Sequence, residues 1–189
     1  MTEEKSTRYY NIDNIRAILI ILVIAGHLYA RVPFRSSLFQ RIIIYSFHMP
    51  AFAFVSGLCF KRSENNRLFK NILYPYLVFQ TFTQAASAIV NTGTLNILTF
   101  HYGTATWALW YLLSLYTWHL LLNVMTFNKK SGAVILILSI IAGLLAGFDG
   151  SIGSFLSLSR SVVYFPFFFG GAYIKQEYSG IIGKNPILQ

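Results

Sequence analysis

The chain has 189 residues, 55% hydrophobic and only 11% charged, with a formal net charge of +9. A soluble domain carries about a quarter charged residues, so the composition excludes an ordinary soluble domain and points to an integral membrane protein. One cysteine, Cys59, rules out a disulfide framework and a cysteine metal cluster, and reads as a small buried apolar residue.

Apolar blocks alternate with short polar connectors. They predict an all-α membrane protein of about six transmembrane helices, at about 12–30, 42–60, 71–91, 107–127, 132–148 and 160–175, in a single domain over 1–189. A span needs roughly 20 apolar residues to cross the hydrocarbon. The segment MTEEKSTRYY carries acids, and no cleavage-site pattern follows the first block. That block is therefore expected to stay as an anchor.

The first span, NIDNIRAILIILVIAGHLYA, holds Arg16 and, eleven residues on, His27. At about 100° and about 1.5 Å per residue, the two point the same way and lie roughly 16 Å apart along the axis. Asp13 falls within about 40° of that stripe. Arg16 alone reads equally as a boundary cation whose stem reaches to the headgroups. His27 is an ionisable group at membrane depth, which marks either a functional site or a structural hydrogen bond to a neighbouring helix.

The second span contains His48 just before Met49-Pro50, and Pro50 frees a carbonyl in the preceding turn. The third opens on RLFKNILYPYLVF, with Arg67 and Lys70 one turn apart. Both fit phosphate contacts or ordinary cytoplasmic charge. The connector NTGTLNILTFHYGTAT has no formal charge and is expected to be external. Trp107, Trp110 and Tyr111 open the fourth span, as an interfacial aromatic belt or as a stacking surface. Deeper in that span lies His119, a core residue or a second polar group of a cavity. Ser56, Ser114 and Tyr116 are further candidate hydroxyl donors. Gly143 and Gly147, four apart in the fifth span, suit close helix packing. The sixth span opens on Arg160, a boundary anchor or a site residue. Its Pro166 and Gly170-Gly171 predict a kinked, closely packed helix.

With the N-terminus inside, eleven cations fall on the cytoplasmic side and four (Arg31, Arg35, Arg41 and Arg160) outside. The positive-inside rule selects that orientation, and an even number of spans returns the C-terminus to the same side. The basic excess is then a matter of topology, and no nucleic-acid partner is expected.

Taken in order, the motifs resemble acyltransferase family three of the integral membrane acyltransferases. They are Arg16 to His27, FHMPAFAFVSG, RLFKNILYPYLVF, WALWYLLSLYTWHLL and SRSVVYFPFFFGGAYI, over about residues 8–175. The tryptophan segment is similar to the fucose 4-O-acetylase-like branch. The resemblance implies transfer of an acyl group, usually acetyl, from cytoplasmic acetyl-CoA to a hydroxyl of a cell-envelope or exported carbohydrate, without a metal. It implies a multi-pass protein of the cell membrane, with the lipid bilayer, acyl-CoA and a carbohydrate acceptor as partners. It assigns the functional pair to Arg16 and His27. Arg16, Arg67 and Lys70 are expected to meet CoA, and Trp107, Trp110, Tyr111, His48 and Arg160 the acceptor. Members of the family usually have about ten membrane helices. Six are expected here, as a fragment, a natural truncation or a minimal variant. Two other classes fit the composition: a non-catalytic membrane paralogue or partner subunit, and a small transporter, which the lack of an internal repeat disfavours.

Overall fold

A computed structural model describes residues 10–29, 35–94, 100–148 and 157–182. Among these residues the protein is entirely helical. Six long helices follow one another: α1 (Tyr10–Tyr29), α2 (Arg35–Leu58), α4 (Tyr74–Thr92), α5 (Trp110–Val124), α6 (Lys129–Phe148) and α7 (Leu158–Ile182). The single turn α3 (Asn65–Leu68) leads into α4, and a 3₁₀ turn, Trp107–Leu109, leads into α5. The long helices match the six expected segments in order. However, α2 starts at Arg35 rather than near residue 42, and α7 runs on to Ile182. Apolarity stops at a charge, whereas backbone hydrogen bonding passes through Arg41 and Lys175 without penalty. Among the described helices, α1 (over Asn11–Leu28) and α6 are long and apolar enough to cross a membrane.

The residues group into two compact units, one comprising residues up to Cys59 and from Phe167 onward, the other Phe60–Pro166. In the first unit α1 packs on α2. α2 also meets the second part of α7 at a pair of glycines. A Cβ on Gly57 would collide with the carbonyl oxygen of Phe168, and one on Gly171 with that of Phe54. The two backbones touch because neither glycine has a side chain, the small-residue packing that lets membrane helices approach closely. Ala53, Phe168 and Phe169 are fully buried around this contact.

The second unit starts with a wide turn. Between α3 and α4 the chain makes one π turn, Phe69–Leu73, in which the Tyr74 N–H reaches back five residues to the Phe69 carbonyl. Pro75 explains it: its ring has no N–H and would strike the carbonyl four residues back, so the helix opens by one residue there. α4 ends on Gly93, whose φ of 67° is the left-handed value that glycine adopts at no steric cost. The described part of the following connector, residues 100–106, returns along α4. Gln80, fully buried, holds it from both ends of its amide. Its Nε2 donates to the carbonyls of His101 (3.0 Å) and Thr104 (2.8 Å), and its Oε1 accepts from the Thr106 N–H (3.0 Å) and hydroxyl (2.9 Å). Gln84 exchanges two bonds with the backbone of His101, and the Tyr76 hydroxyl donates to the Tyr102 carbonyl. Tyr76, Gln80 and Gln84 thus form one polar stripe at helical spacing that satisfies irregular backbone, and the Thr83 hydroxyl beside them meets that of Thr106. Residues 95–99 of the connector lie outside the described residues.

α5 runs back beside α3 and the π turn, and its far end is tied down where Arg62 donates to the carbonyls of Asn123 (3.1 Å) and Met125 (2.6 Å). The start of α7 is locked to α5 by the Trp118 indole N–H on the Ser161 carbonyl (2.9 Å) and by a buried Ser114–Ser161 hydroxyl pair (2.6 Å). Of the two glycines expected to serve packing in α6, Gly143 does: a Cβ there would sit 3.5 Å from the backbone of Val162 and Val163. Gly147 has open space around it.

In α4 and α6 the packing is inverted relative to a soluble protein. In α6 the buried residues are Gly132, Ser139, Gly143 and Ala146, one narrow seam of small side chains. Ile137, Leu138, Leu144, Leu145 and Phe148 face outward. α4 does the same, with Tyr76 and Gln80 inside and Val78, Phe79, Phe82, Ile89 and Val90 outside. A soluble amphipathic helix turns its large apolar residues to the core.

Candidate functional site

Arg16 and His27 sit where the helix geometry put them, on one line of α1. The face of α1 that packs inward is carried by Leu19 and Gly26, both buried. By helix rotation of about 100° per residue, Arg16 and His27 fall on the flank of that face. Accordingly Arg16 is half-buried and His27 is exposed. The Arg16 Nη1 lies 3.8 Å from the Asp13 carboxylate, with the two side chains 38% and 41% exposed. That is a loose pair in which the guanidinium keeps donors for another anion. On α2, His48 is buried, two residues before Pro50, and Ser56 is half-buried. These residues belong to the first unit.

The second unit sorts its cations along α5. Lys61 and Arg62 lie with the last turn of α5, tied by the Arg62 bonds to Asn123 and Met125. Arg67 and Lys70, both exposed, follow on α3 and the π turn that pack against α5. Lys129 and Lys130 continue the chain just beyond that same end. Arg160 stands apart, at the opposite end: its guanidinium carbon is 5.3 Å from the centre of the Trp110 ring, at the first residue of α5.

Around Arg160 the structure joins two more of the residues expected to meet the acceptor, Trp110 and Tyr111. Trp110 is buried, meets Tyr111 edge-on at 5.9 Å, and lies 5.5 Å from the ring of Tyr164. Tyr111 in turn meets Trp118 edge-on at 6.0 Å. A cation over the face of a tryptophan is attracted by the ring quadrupole. Arg160, Trp110 and Tyr111 are therefore one cluster. The Trp107 side chain lies outside the described residues. His119 packs its ring on Phe60 at 5.0 Å, the behaviour of a core residue. Ser114 is spent on Ser161, and Tyr116 is half-buried.

Two participants escaped the sequence reading. Tyr164 lies four residues after Arg160, on the same helix face, and that spacing was the available signal. Gln80 was visible as a polar residue in an apolar block, in register with Tyr76, Thr83 and Gln84. What it would bond was not visible, because its partners are 21 to 26 residues away in an irregular segment.

A family model described as an acyltransferase domain matches residues 9–188, nearly the whole chain. No curated protein and no solved structure matches it.

Proposed function

The chain belongs to acyltransferase family three, and we propose that it is a multi-pass membrane O-acyltransferase of the cell membrane, moving an acetyl group from cytoplasmic acetyl-CoA to a hydroxyl of a cell-envelope carbohydrate. The observation that carries this reading is the Arg16–His27 pair on one flank of α1, inside the matched region. Exposure of His27 suits a base that must meet an incoming substrate, and imidazole cycles protons near neutral pH. In this reading His27 takes the proton of the acceptor hydroxyl as its oxygen attacks the thioester carbonyl. The new C–O bond forms, the C–S bond breaks, and the proton passes to the departing CoA thiolate. Arg16 is assigned to the donor, as a cation for CoA. Trp110, Tyr111 and Arg160, which the second unit brings together, are assigned to the acceptor. The fucose-4-O-acetylase-like branch is the finer assignment we favour, on the tryptophan segment.

The six long helices are read as spans, with both ends cytoplasmic. Support comes from the inverted packing of α4 and α6 and from the second unit's cations, of which the expected inside set lies toward one end of α5 and Arg160 at the other. Exposed Ile, Leu and Phe in such numbers cost free energy in water and none in lipid.

The test is acetyl-CoA binding and acetyl transfer by the purified chain in detergent. Arg16→Ala is expected to weaken acetyl-CoA binding about tenfold, and His27→Ala to cut transfer by about 10²–10⁴ with binding retained. Full transfer by His27→Ala would refute the role given to His27.

A further inference from the structure

We propose that the Arg160–Trp110 cluster is an anion subsite, and that the acceptor it receives carries a carboxylate or phosphate close to its sugar ring. This rests on the reading that this end of α5 serves the acceptor, and it deepens that reading by naming the acceptor's charge.

Arg160 is exposed, yet it is held: its guanidinium lies over the Trp110 ring, with Tyr164 four residues on along its own helix and 5.5 Å from the same ring. A guanidinium attracted to a ring face keeps N–H donors that the ring does not use, in the fork that matches carboxylate or phosphate oxygens. Among the described residues no carboxylate lies within ion-pair distance of it. The one described carboxylate of the second unit, Glu64, caps α3, where its carbonyl accepts from Arg67 and Leu68. The other described cations of the unit lie toward the opposite end of α5, so Arg160 is the lone positive charge at this end among described residues. The platform is rigid. Trp110 is buried, and the Trp118–Ser161 and Ser114–Ser161 bonds fix the turn that carries Arg160 against α5. On the other side Gln80 fixes Thr106, whose carbonyl accepts the Leu109 N–H and so sets where α5 begins. Beside the guanidinium, Tyr111 and Tyr164 are half-buried, an arrangement that suits an acidic sugar: the fork takes the anion, and a tyrosine ring takes the apolar face of the pyranose.

The experiment is saturation-transfer NMR titration of the full chain in neutral detergent with glucuronate, glucose 1-phosphate and glucose. Acetyl-CoA binding and thermal unfolding are measured on the same preparations. The anionic sugars are expected to bind at least about tenfold more tightly than glucose. Arg160→Gln should abolish that preference while leaving acetyl-CoA binding and unfolding unchanged, and Arg160→Lys should keep part of it. Trp110→Phe, which retains a ring, should weaken the preference less than Arg160→Gln. Equal binding of glucose and glucuronate, or a preference that survives Arg160→Gln, overturns the subsite whether or not acetyl-CoA binds. The same titration is repeated in phosphatidylcholine nanodiscs with and without phosphatidylglycerol. Loss of the sugar preference in the anionic nanodiscs would assign Arg160 to a lipid headgroup and also overturn it. Acetyl-CoA binding without sugar preference sinks only the subsite; sugar preference without acetyl-CoA binding sinks only the donor half of the transferase reading.

Discussion

Asp13 and Arg16 show how little a single ion pair settles. At 3.8 Å, with both side chains more than a third exposed, the pair is worth at most about 1 kcal/mol after solvent screening. Asp13→Asn should therefore leave thermal unfolding unchanged. If Arg16 meets the charged donor, the same change should tighten acetyl-CoA binding a few-fold, by removing a carboxylate that competes for the guanidinium. Calorimetric titration of both proteins checks this, and weaker binding in Asp13→Asn would mean that the carboxylate orients Arg16 instead. His27 is read differently from His48 and His119 for a reason of placement: His48 is buried and His119 packs on Phe60, whereas His27 is exposed. Burial belongs to the neighbours and not to the residue, so the sequence could not give the exposure of these three histidines.

At the scale of elements, one device stands out in each unit. In the first, α2 and α7 meet through Gly57 and Gly171 with no room for a methyl group against backbone. Gly171→Ala or Gly57→Ala should cost about 1–3 kcal/mol or more through overpacking, read as a fall in unfolding temperature in detergent. Gly147→Ala, which meets nothing, should be neutral or slightly stabilising through helix propensity. In the second, Gln80 binds four groups of the 100–106 segment. Gln80→Leu should leave those groups unpaired and destabilise by about 1–3 kcal/mol. Gln80→Glu keeps the acceptor that holds Thr106 but loses the donor for His101 and Thr104. Hydrogen exchange should then show Leu109 protected in Gln80→Glu and exposed in Gln80→Leu. The spacing of Tyr76, Gln80, Thr83 and Gln84 made a polar stripe legible in sequence, and the partner of that stripe was not.

For the whole molecule, the outward-facing apolar surface is the dominant fact. Phe148 is 90% exposed and Val124 85%, values that suit contact with acyl chains. The chain should stay monodisperse in detergent and aggregate when the detergent is removed. Orientation is testable with single cysteines on a Cys59→Ser background. Tyr102→Cys should react with an impermeant maleimide from the outer side of intact cells, and Lys129→Cys only after permeabilisation. The reverse result would invert the proposed topology and with it the side from which the proposed donor arrives.

The sequence by itself determined what depends on local composition: six helical segments in order, the line joining Arg16 to His27, and the separation of Arg160 from the other cations of its unit. It also carried the motifs of the family to which the chain belongs. Helix periodicity, proline, glycine and charge act over a few residues, so they can be read in place. The tertiary structure alone decided the glycine contact of α2 with α7, the clasp of Gln80 on a segment more than twenty residues on, and the meeting of Arg160 with Trp110 and Tyr164. Those depend on which faces come together, and in apolar helices whose outward sides are nearly uniform, hydrophobic periodicity carries almost no record of that choice.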